Sequence, residues 1–74
     1  MQRDDLQMLL VREPFPLLRL HLAGGMVFDI TDPDSVYLSF STVELLLPRQ
    51  HNQQREAVIS LDHIVWVEIL DPPN

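Results

Sequence analysis

Two short apolar runs near the end of the chain are separated by only three residues, and this joint constrains the fold more than any other feature. The stretch is REAVISLDHIVWVEIL (residues 55–70), in which residues 61–63 (LDH) stand between the runs without a Gly, Pro or Asn. Three residues are too few for an ordinary loop but suit one turn of 3₁₀ helix. The pattern predicts a strand around Val58, a 3₁₀ turn, and a last strand at 64–70 that leaves nearly at right angles, as at a barrel corner.

The first residues of the chain have helical periodicity. Leu6, Leu9 and Leu10 are spaced i, i+3, i+4 and form one apolar stripe. Pro14 disfavours helical geometry at the residue before it. The spacing predicts a helix over 3–12, which is too short to be stable alone. Its stripe is therefore expected to pack on a sheet.

The period then changes to that of β-strands. In LLRLHLA (residues 17–23) leucines alternate with Arg19 and His21, the pattern of a strand with one buried face. Arg19 and His21 are expected on its solvated outer face. The Gly-Gly pair at 24–25 predicts a hairpin turn. MVFDI (residues 26–30) is expected to form the second strand, with Met26, Phe28 and Ile30 on one side and the other two residues on the opposite side.

The middle of the chain leaves one question open. In VYLSFSTVELLL (residues 36–47) the apolar positions shift from even to odd numbers after Ser41. An odd shift either inserts a bulge or ends one strand and begins another, so one bent strand and two strands both fit. TDPDS (31–35) is typical of a turn. PRQHNQQ (48–54) has no periodicity and predicts an exposed loop, and DPPN (71–74) predicts a frayed tail.

The small size of the chain predicts self-association. Seventy-four residues make one domain, and a domain of this size is usually supported by disulfides, a metal or oligomerisation. The chain has no Cys, which excludes disulfides. His21, His51 and His63 lack the spacing of a metal site, so no metal and no cofactor are expected. Oligomerisation remains.

Charge weighs against a nucleic-acid partner. Eleven acidic residues against five Arg, with no Lys, give a net charge of −6. Affinity for RNA rests largely on cations that displace counterions from phosphate. RNA is therefore disfavoured as a partner, although a ring of subunits could bring a few Arg together.

Other classes of function find little support. No apolar run approaches the ~18 residues of a membrane helix, and the first residues are acidic where a secretory signal is basic. These features predict a cytoplasmic protein without a membrane partner. Phosphate loops, catalytic triads and a Cys nucleophile are missing from the sequence. Asp32 and Asp34 flank Pro33 as turn formers do, so no catalytic residue and no enzyme activity are expected.

One segment resembles a known family. AVISLDHIVWV (residues 57–67) is similar to the second sequence motif of Sm-like proteins, the Sm, LSm and Hfq group, with Ser60-Leu61 where the motif has Arg-Gly. The resemblance implies a mainly β fold in which a short N-terminal α-helix precedes a five-stranded, strongly bent Sm-like barrel, with a 3₁₀ turn before the last strand. The whole chain, 1–74, is then one domain whose barrel spans 17–70.

A second resemblance covers nearly the whole chain. EPFPLLRLHLAGG, TDPDSV and DHIVWVEIL are similar to the pattern of a group of small bacterial proteins of the kind found in planctomycetes. This pattern implies no particular activity, so it adds to the expected fold and not to the expected function.

Sm-like proteins bind RNA in pockets repeated around a ring, and this chain matches those pockets poorly. Ser60-Leu61 lacks the guanidinium of the Arg-Gly pair, and the Asp62 carboxylate repels phosphate. Tyr37 could stack on a base, but a strand Tyr is more often packed, and His63 is expected to be exposed on the 3₁₀ turn. The positions that correspond to a pocket are Asp32, Tyr37, Ser60, Asp62 and His63.

The leading prediction is a non-enzymatic domain that self-associates into a ring-shaped homo-oligomer through its strand edges. Unpaired edges favour the addition of a further strand. Alternation along the last strand places Ile64, Trp66 and Glu68 on one side. It places Val65, Val67 and Ile69 on the other side. Trp66 fits a core or an interface position equally well. The candidate interface residues are Tyr37, Leu38, Phe40, Ile64, Val65, Trp66, Val67 and Ile69. The alternatives are an RNA-binding ring and an adaptor that binds a protein or peptide at the same edge.

Overall fold

The protein is a mainly β domain with one short helix. The computed structural model describes residues 1–70, so the predicted frayed tail at 71–74 lies outside the described residues. Two 3₁₀ turns, Pro33–Ser35 and Leu61–His63, interrupt the strands. The larger elements are α1 (Arg3–Leu10), β1 (Leu17–Leu22), β2 (Val27–Ile30), β3 (Val36–Leu38), β4 (Thr42–Gln50), β5 (Gln53–Ser60) and β6 (Ile64–Leu70).

The strands form two separate antiparallel sheets. One has the order β2-β1-β6 and the other β3-β4-β5. Within residues 1–70 no pairing between the two sheets closes a barrel. The sequence predicted five strands and left 36–47 open, and the structure resolves that segment into β3 and β4. The Ser39 N–H donates to the Thr42 carbonyl at 2.9 Å and closes the turn between them.

The core lies between the two sheets and is capped by α1. Its fully buried side chains include Leu6 from the helix, Leu18 and Leu20 from β1, and Val43 from β4. Leu9 and Leu10 pack partly buried against this cluster. The predicted docking of the helical stripe is therefore confirmed, although the helix ends at Leu10 rather than at residue 12. Among residues 1–70 the buried hydrophobic residues are Leu6, Leu18, Leu20, Ile30, Val43, Leu45, Ile59, Leu61 and Ile64.

The predicted glycine turn is confirmed. Gly24 and Gly25 have φ values of 92° and 94°, a backbone region that glycine adopts without the steric cost other residues meet. The turn joins β1 to β2, whose Ile30 is buried and whose Phe28 is half-buried. Met26, expected on the same side of the strand as these two residues, precedes the strand and is exposed.

Residues 48–54 are exposed, as predicted, but the predicted loop is wrong because they belong to a hairpin. β4 continues to Gln50, and β5 begins at Gln53. His51 and Asn52 have φ values of 52° and 63°, and two successive residues with positive φ are typical of the tight turns that join hairpin strands. This arm extends beyond β3 and both of its faces are largely exposed, so its sequence shows no alternation although its backbone is paired.

The predicted joint at 61–63 is confirmed as a 3₁₀ turn, but the alternation predicted for the last strand is wrong at its start. Leu22 pairs with Ile64 while the neighbouring His21 pairs with Trp66. Val65 is therefore an extra residue in β6, a β-bulge. The bulge lets Ile64 and Val67 both face the core while Trp66 faces outward.

Candidate functional site: the free strand edges

The outer strands of the two sheets leave two long backbone edges that pair with no other strand in the part of the chain that the structure describes. β5 is an edge of one sheet and β6 an edge of the other. They have eight and seven residues, whereas the opposite edges, β3 and β2, have three and four. β5 and β6 follow each other across the second 3₁₀ turn but do not pair. One chain thus carries two long edges on either side of a single corner.

Hydrogen bonds within the sheets show which groups of β6 point away from its partner. The Leu22 N–H donates to the Met26 carbonyl at 2.9 Å, so Leu22 directs its backbone groups toward β2. Because these directions alternate along an antiparallel strand, His21 directs its groups toward β6 and bonds its partner Trp66. The backbone groups of Val67 and Ile69 consequently point away from β1, out of the free edge.

The same alternation applies to β5. The Leu61 N–H donates to the Ser41 carbonyl at 2.9 Å, which places the odd-numbered residues of β5 in hydrogen-bonded pairs with β4. Glu56 and Val58 therefore direct their backbone groups outward. Both edges present donors and acceptors that a further strand can use.

Exposed apolar side chains lie beside β6 and beside the second half of β5, whereas residues 53–56 of β5 are polar and exposed. Val58 on β5 is 64% exposed, and on β6 Val65 and Trp66 are 67% and 52% exposed. Neither 53–60 nor 64–70 contains a Pro or a Lys, the residues that commonly protect an edge from strand addition. The surface therefore favours pairing with another chain.

Charged residues form a row across the outer face of the β2-β1-β6 sheet. Arg19 contacts Asp29 on β2 with two bonds, Nε to Oδ1 at 2.8 Å and Nη2 to Oδ2 at 3.2 Å. This hydrogen bonding lowers the pKa of the Asp29 carboxyl and raises the pKa of Arg19. Glu68 on β6 lies 4.0 Å from Arg19 Nη1. The expected outer-face position of Arg19 is correct, and a carboxylate flanks it on each side.

A stacked pair of rings lies beside this row. The His21 and Trp66 rings are 3.9 Å apart between centroids and inclined by 6°. His21 Nε2 also lies 3.0 Å from Glu68 Oε1. Trp66 is therefore outside the core: His21 covers one side of its ring, and half of the residue remains exposed. This answers the question that the sequence left open for Trp66.

The other candidate interface residues fall into two regions. Ile64 is buried in the core, and Leu38 packs half-buried against it, so the Ile64 side chain is not at the surface. Tyr37 on β3 and Phe40 in the β3–β4 turn are 67% and 89% exposed. The prediction that Tyr37 is packed is therefore wrong. These two aromatic residues belong to the sheet that does not contain β6.

The five positions that correspond to an RNA pocket do not line one depression of the chain. Asp32 lines a groove beside β2, and its carboxylate accepts the Asp34 N–H at 2.9 Å. Tyr37 lines depressions beside β3, and Asp62 one beside α1. Ser60 ends β5, and His63 is exposed on the second 3₁₀ turn, as predicted.

The groove beside β2 is a feature that the sequence did not predict. Its volume is about 1000 Å³, and it lies between the outer face of the β2-β1-β6 sheet and the β4–β5 arm. Its lining includes Val27, Phe28, Leu47 and Arg49. The groove exists because β4 extends past the end of β3. The sequence predicted a loop at 48–54 and therefore did not predict this extension.

The part of the chain that the structure describes shows neither a metal cluster nor a membrane-spanning helix. Among residues 1–70, no three His, Cys, Asp or Glu residues lie close enough together to hold a metal ion. None of the described helices is both long and apolar enough to cross a bilayer. Comparison with protein-family models, curated proteins and solved structures finds no match to this chain.

Proposed function

We propose that this protein is a non-enzymatic, Sm-like domain that self-associates into a ring through its two long strand edges. The observation that supports the proposal is the pair of long edges, β5 and β6, one on each sheet, which have no partner strand among the described residues, 1–70. If β6 of one copy pairs with β5 of the next, the two three-stranded sheets join into a continuous six-stranded sheet. Each copy then satisfies outward backbone groups that it cannot satisfy alone.

The geometry of the edges favours a head-to-tail arrangement. A contact between β5 and β6 uses two different surfaces, so every bound copy still offers one free edge. Such a contact closes into a ring if the rotation between copies allows it and otherwise grows into a filament. The corner at the second 3₁₀ turn places the two edges on different sheets, so this corner sets the angle between successive copies.

Burial of exposed apolar side chains at the two edges supplies the driving force for self-association. Val58 on one edge and Val65, Trp66 and Ile69 on the other are all exposed in the single chain. Burying apolar surface contributes about 25 cal/mol per Å². Residues 1–70 contain nine buried hydrophobic residues, and a domain with so small a core gains much of its stability from a neighbour that covers these side chains.

The strand arrangement is compatible with the Sm-like interpretation. β2 and β3 are separated by residues 31–35, which include the first 3₁₀ turn, and can be taken as two halves of one bent strand. Counted in this way the domain has five strands, and the bent strand formed by β2 and β3 connects the two sheets. The proposal concerns the arrangement and the mode of assembly, and not a particular ligand.

Light scattering over a dilution series tests the proposal. The expected result is a mass of several chains, each of 8.6 kDa, that falls on dilution as the assembly dissociates. A mass of one chain at every concentration contradicts the proposal. It favours the adaptor alternative, in which the strand edge binds a different protein or a peptide.

The RNA-binding alternative predicts a different outcome. With Ser60, Leu61 and Asp62 at the turn and a net charge of −6, binding to oligo-U or oligo-A at physiological salt is expected to be no tighter than the non-specific range, about 10⁻⁴–10⁻⁶ M. Fluorescence anisotropy with labelled oligonucleotides at two salt concentrations measures this. Tighter binding that selects one base over another contradicts the expectation.

A further inference from the structure

The free edge of β2 borders the groove and presents backbone groups to it. Because Leu22 bonds Met26 across the hairpin, the pairs that include Phe28 and Ile30 are also hydrogen-bonded, and Val27 and Asp29 direct their N–H and C=O groups away from β1. No strand pairs with this edge within residues 1–70. The opposite wall is the arm formed by β4 and β5.

The far wall is also partly unpaired. β3 covers β4 only from Val43 to Leu45, so Leu46 and the residues after it have no partner on that side among residues 1–70. Pro48, which has no N–H, stands in this part of β4 beside a register shift, a position where a strand tolerates proline. The groove thus lies between two strand edges that both carry unpaired backbone groups within residues 1–70.

The lining combines apolar side chains with one available guanidinium. Phe28 and Leu47 are half-buried apolar residues that line the groove and also pack against the core. Arg49 donates to the Asn52 carbonyl at 2.9 Å and forms no ion pair within residues 1–70. Of the two lining carboxylates, Asp29 is already paired with Arg19. An acidic side chain is therefore best placed opposite Arg49.

We infer that this groove binds an extended peptide from another protein by strand addition to β2. Apolar side chains at alternate positions of the peptide contact Phe28 and Leu47, and an acidic residue contacts Arg49. The peptide backbone bonds the outward groups of Val27 and Asp29. In this mode of recognition the main chain supplies affinity and the alternate side chains supply specificity.

This site is separate from the edges assigned to self-association. β2 lies across β1 from β6. The arm lines the groove with residues 46–49 of β4 and with Gln54 of β5, which stands near the arm's turn, four residues before Val58. An assembly built through β5 and β6 therefore leaves the groove open in every copy. Each copy of a ring can hold one peptide, so the assembly presents a repeated set of sites.

A synthetic peptide tests the inference. The probe is a fluorescein-labelled, amidated hexapeptide, Thr-Val-Glu-Val-Thr-Val, titrated with the full chain by fluorescence anisotropy. Binding with a dissociation constant below about 1 mM is expected, weakened at least tenfold when the valine backbone nitrogens of the peptide are methylated. Replacing the glutamate of the peptide by lysine is expected to weaken binding, and Arg49→Glu in the protein is expected to reverse that preference.

Variants of the protein locate the site. Val27→Pro removes an N–H that faces the groove and is expected to abolish binding, whereas Val27→Ala retains it. Val58→Pro and Val67→Pro, on the β5 and β6 edges, are expected to leave peptide binding unchanged. The inference is overturned if the peptide does not bind, if methylation has no effect, or if the β5 and β6 variants abolish binding while Val27→Pro does not. Val27→Pro is expected to leave the assembly mass unchanged, so this result and the self-association proposal can fail separately.

Discussion

Replacing Leu6 with Ala is expected to lower the melting temperature by at least about 10 °C. Leu6 is fully buried between the helix and the sheets, and a buried Leu→Ala substitution costs about 2–5 kcal/mol because it leaves a cavity. The free energy of unfolding of a domain of this size is about 4–11 kcal/mol. In chains of 60–100 residues each kcal/mol corresponds to about 4–8 °C.

Met8→Ala is the matched control for Leu6→Ala. Met8 lies on the same helix, and 70% of it is exposed, so its truncation removes little buried surface while helix propensity is maintained. Thermal denaturation followed by circular dichroism compares the two variants at equal protein concentration, because an assembly melts at a concentration-dependent temperature. Equal melting temperatures for the two variants contradict the docking of α1.

Two variants that each block one edge are expected to be monomeric alone and to form a dimer when mixed. Val58→Pro removes an outward N–H from β5, and Val67→Pro removes one from β6. Neither substitution breaks a bond between neighbouring strands, because both residues direct their backbone groups away from the sheet. The first variant retains a free β6 edge and the second a free β5 edge, so the mixture can make one contact and no more.

The mass of the mixture measures this directly. A species of twice the 8.6 kDa chain mass is expected, whereas either variant alone stays at one chain mass. Val58→Ala and Val67→Ala shorten the same side chains but keep the N–H groups, and they are expected to remain assembled. If Val58→Pro alone stays assembled while Val67→Pro does not, β6 pairs with β6 and the head-to-tail arrangement is wrong.

The sequence correctly predicted the elements whose conformation is determined by residues close together along the chain. The three-residue joint at 61–63 admitted few conformations, and the structure has the expected 3₁₀ turn there. The stripe of Leu6, Leu9 and Leu10 and the glycine pair at 24–25 predicted the helix and the first turn for the same reason. In each case a short-range steric or periodic constraint determined the backbone.

The errors have a common physical origin in contacts that are distant in sequence. The arm around His51 and Asn52 is paired backbone with both faces largely in water, so it has no hydrophobic alternation to detect. The bulge at Val65 depends on how β6 meets β1, which no local pattern specifies. The groove and the stack of His21 on Trp66 follow from those two features and could not be predicted from the sequence.

Native mass spectrometry of the unmodified protein at micromolar concentration tests self-association most directly. The expected result is a single species whose mass is a whole multiple, greater than two, of the 8.6 kDa chain. A ladder of increasing masses supports pairing between edges but contradicts closure into a ring. A single chain mass across the micromolar range contradicts the central claim.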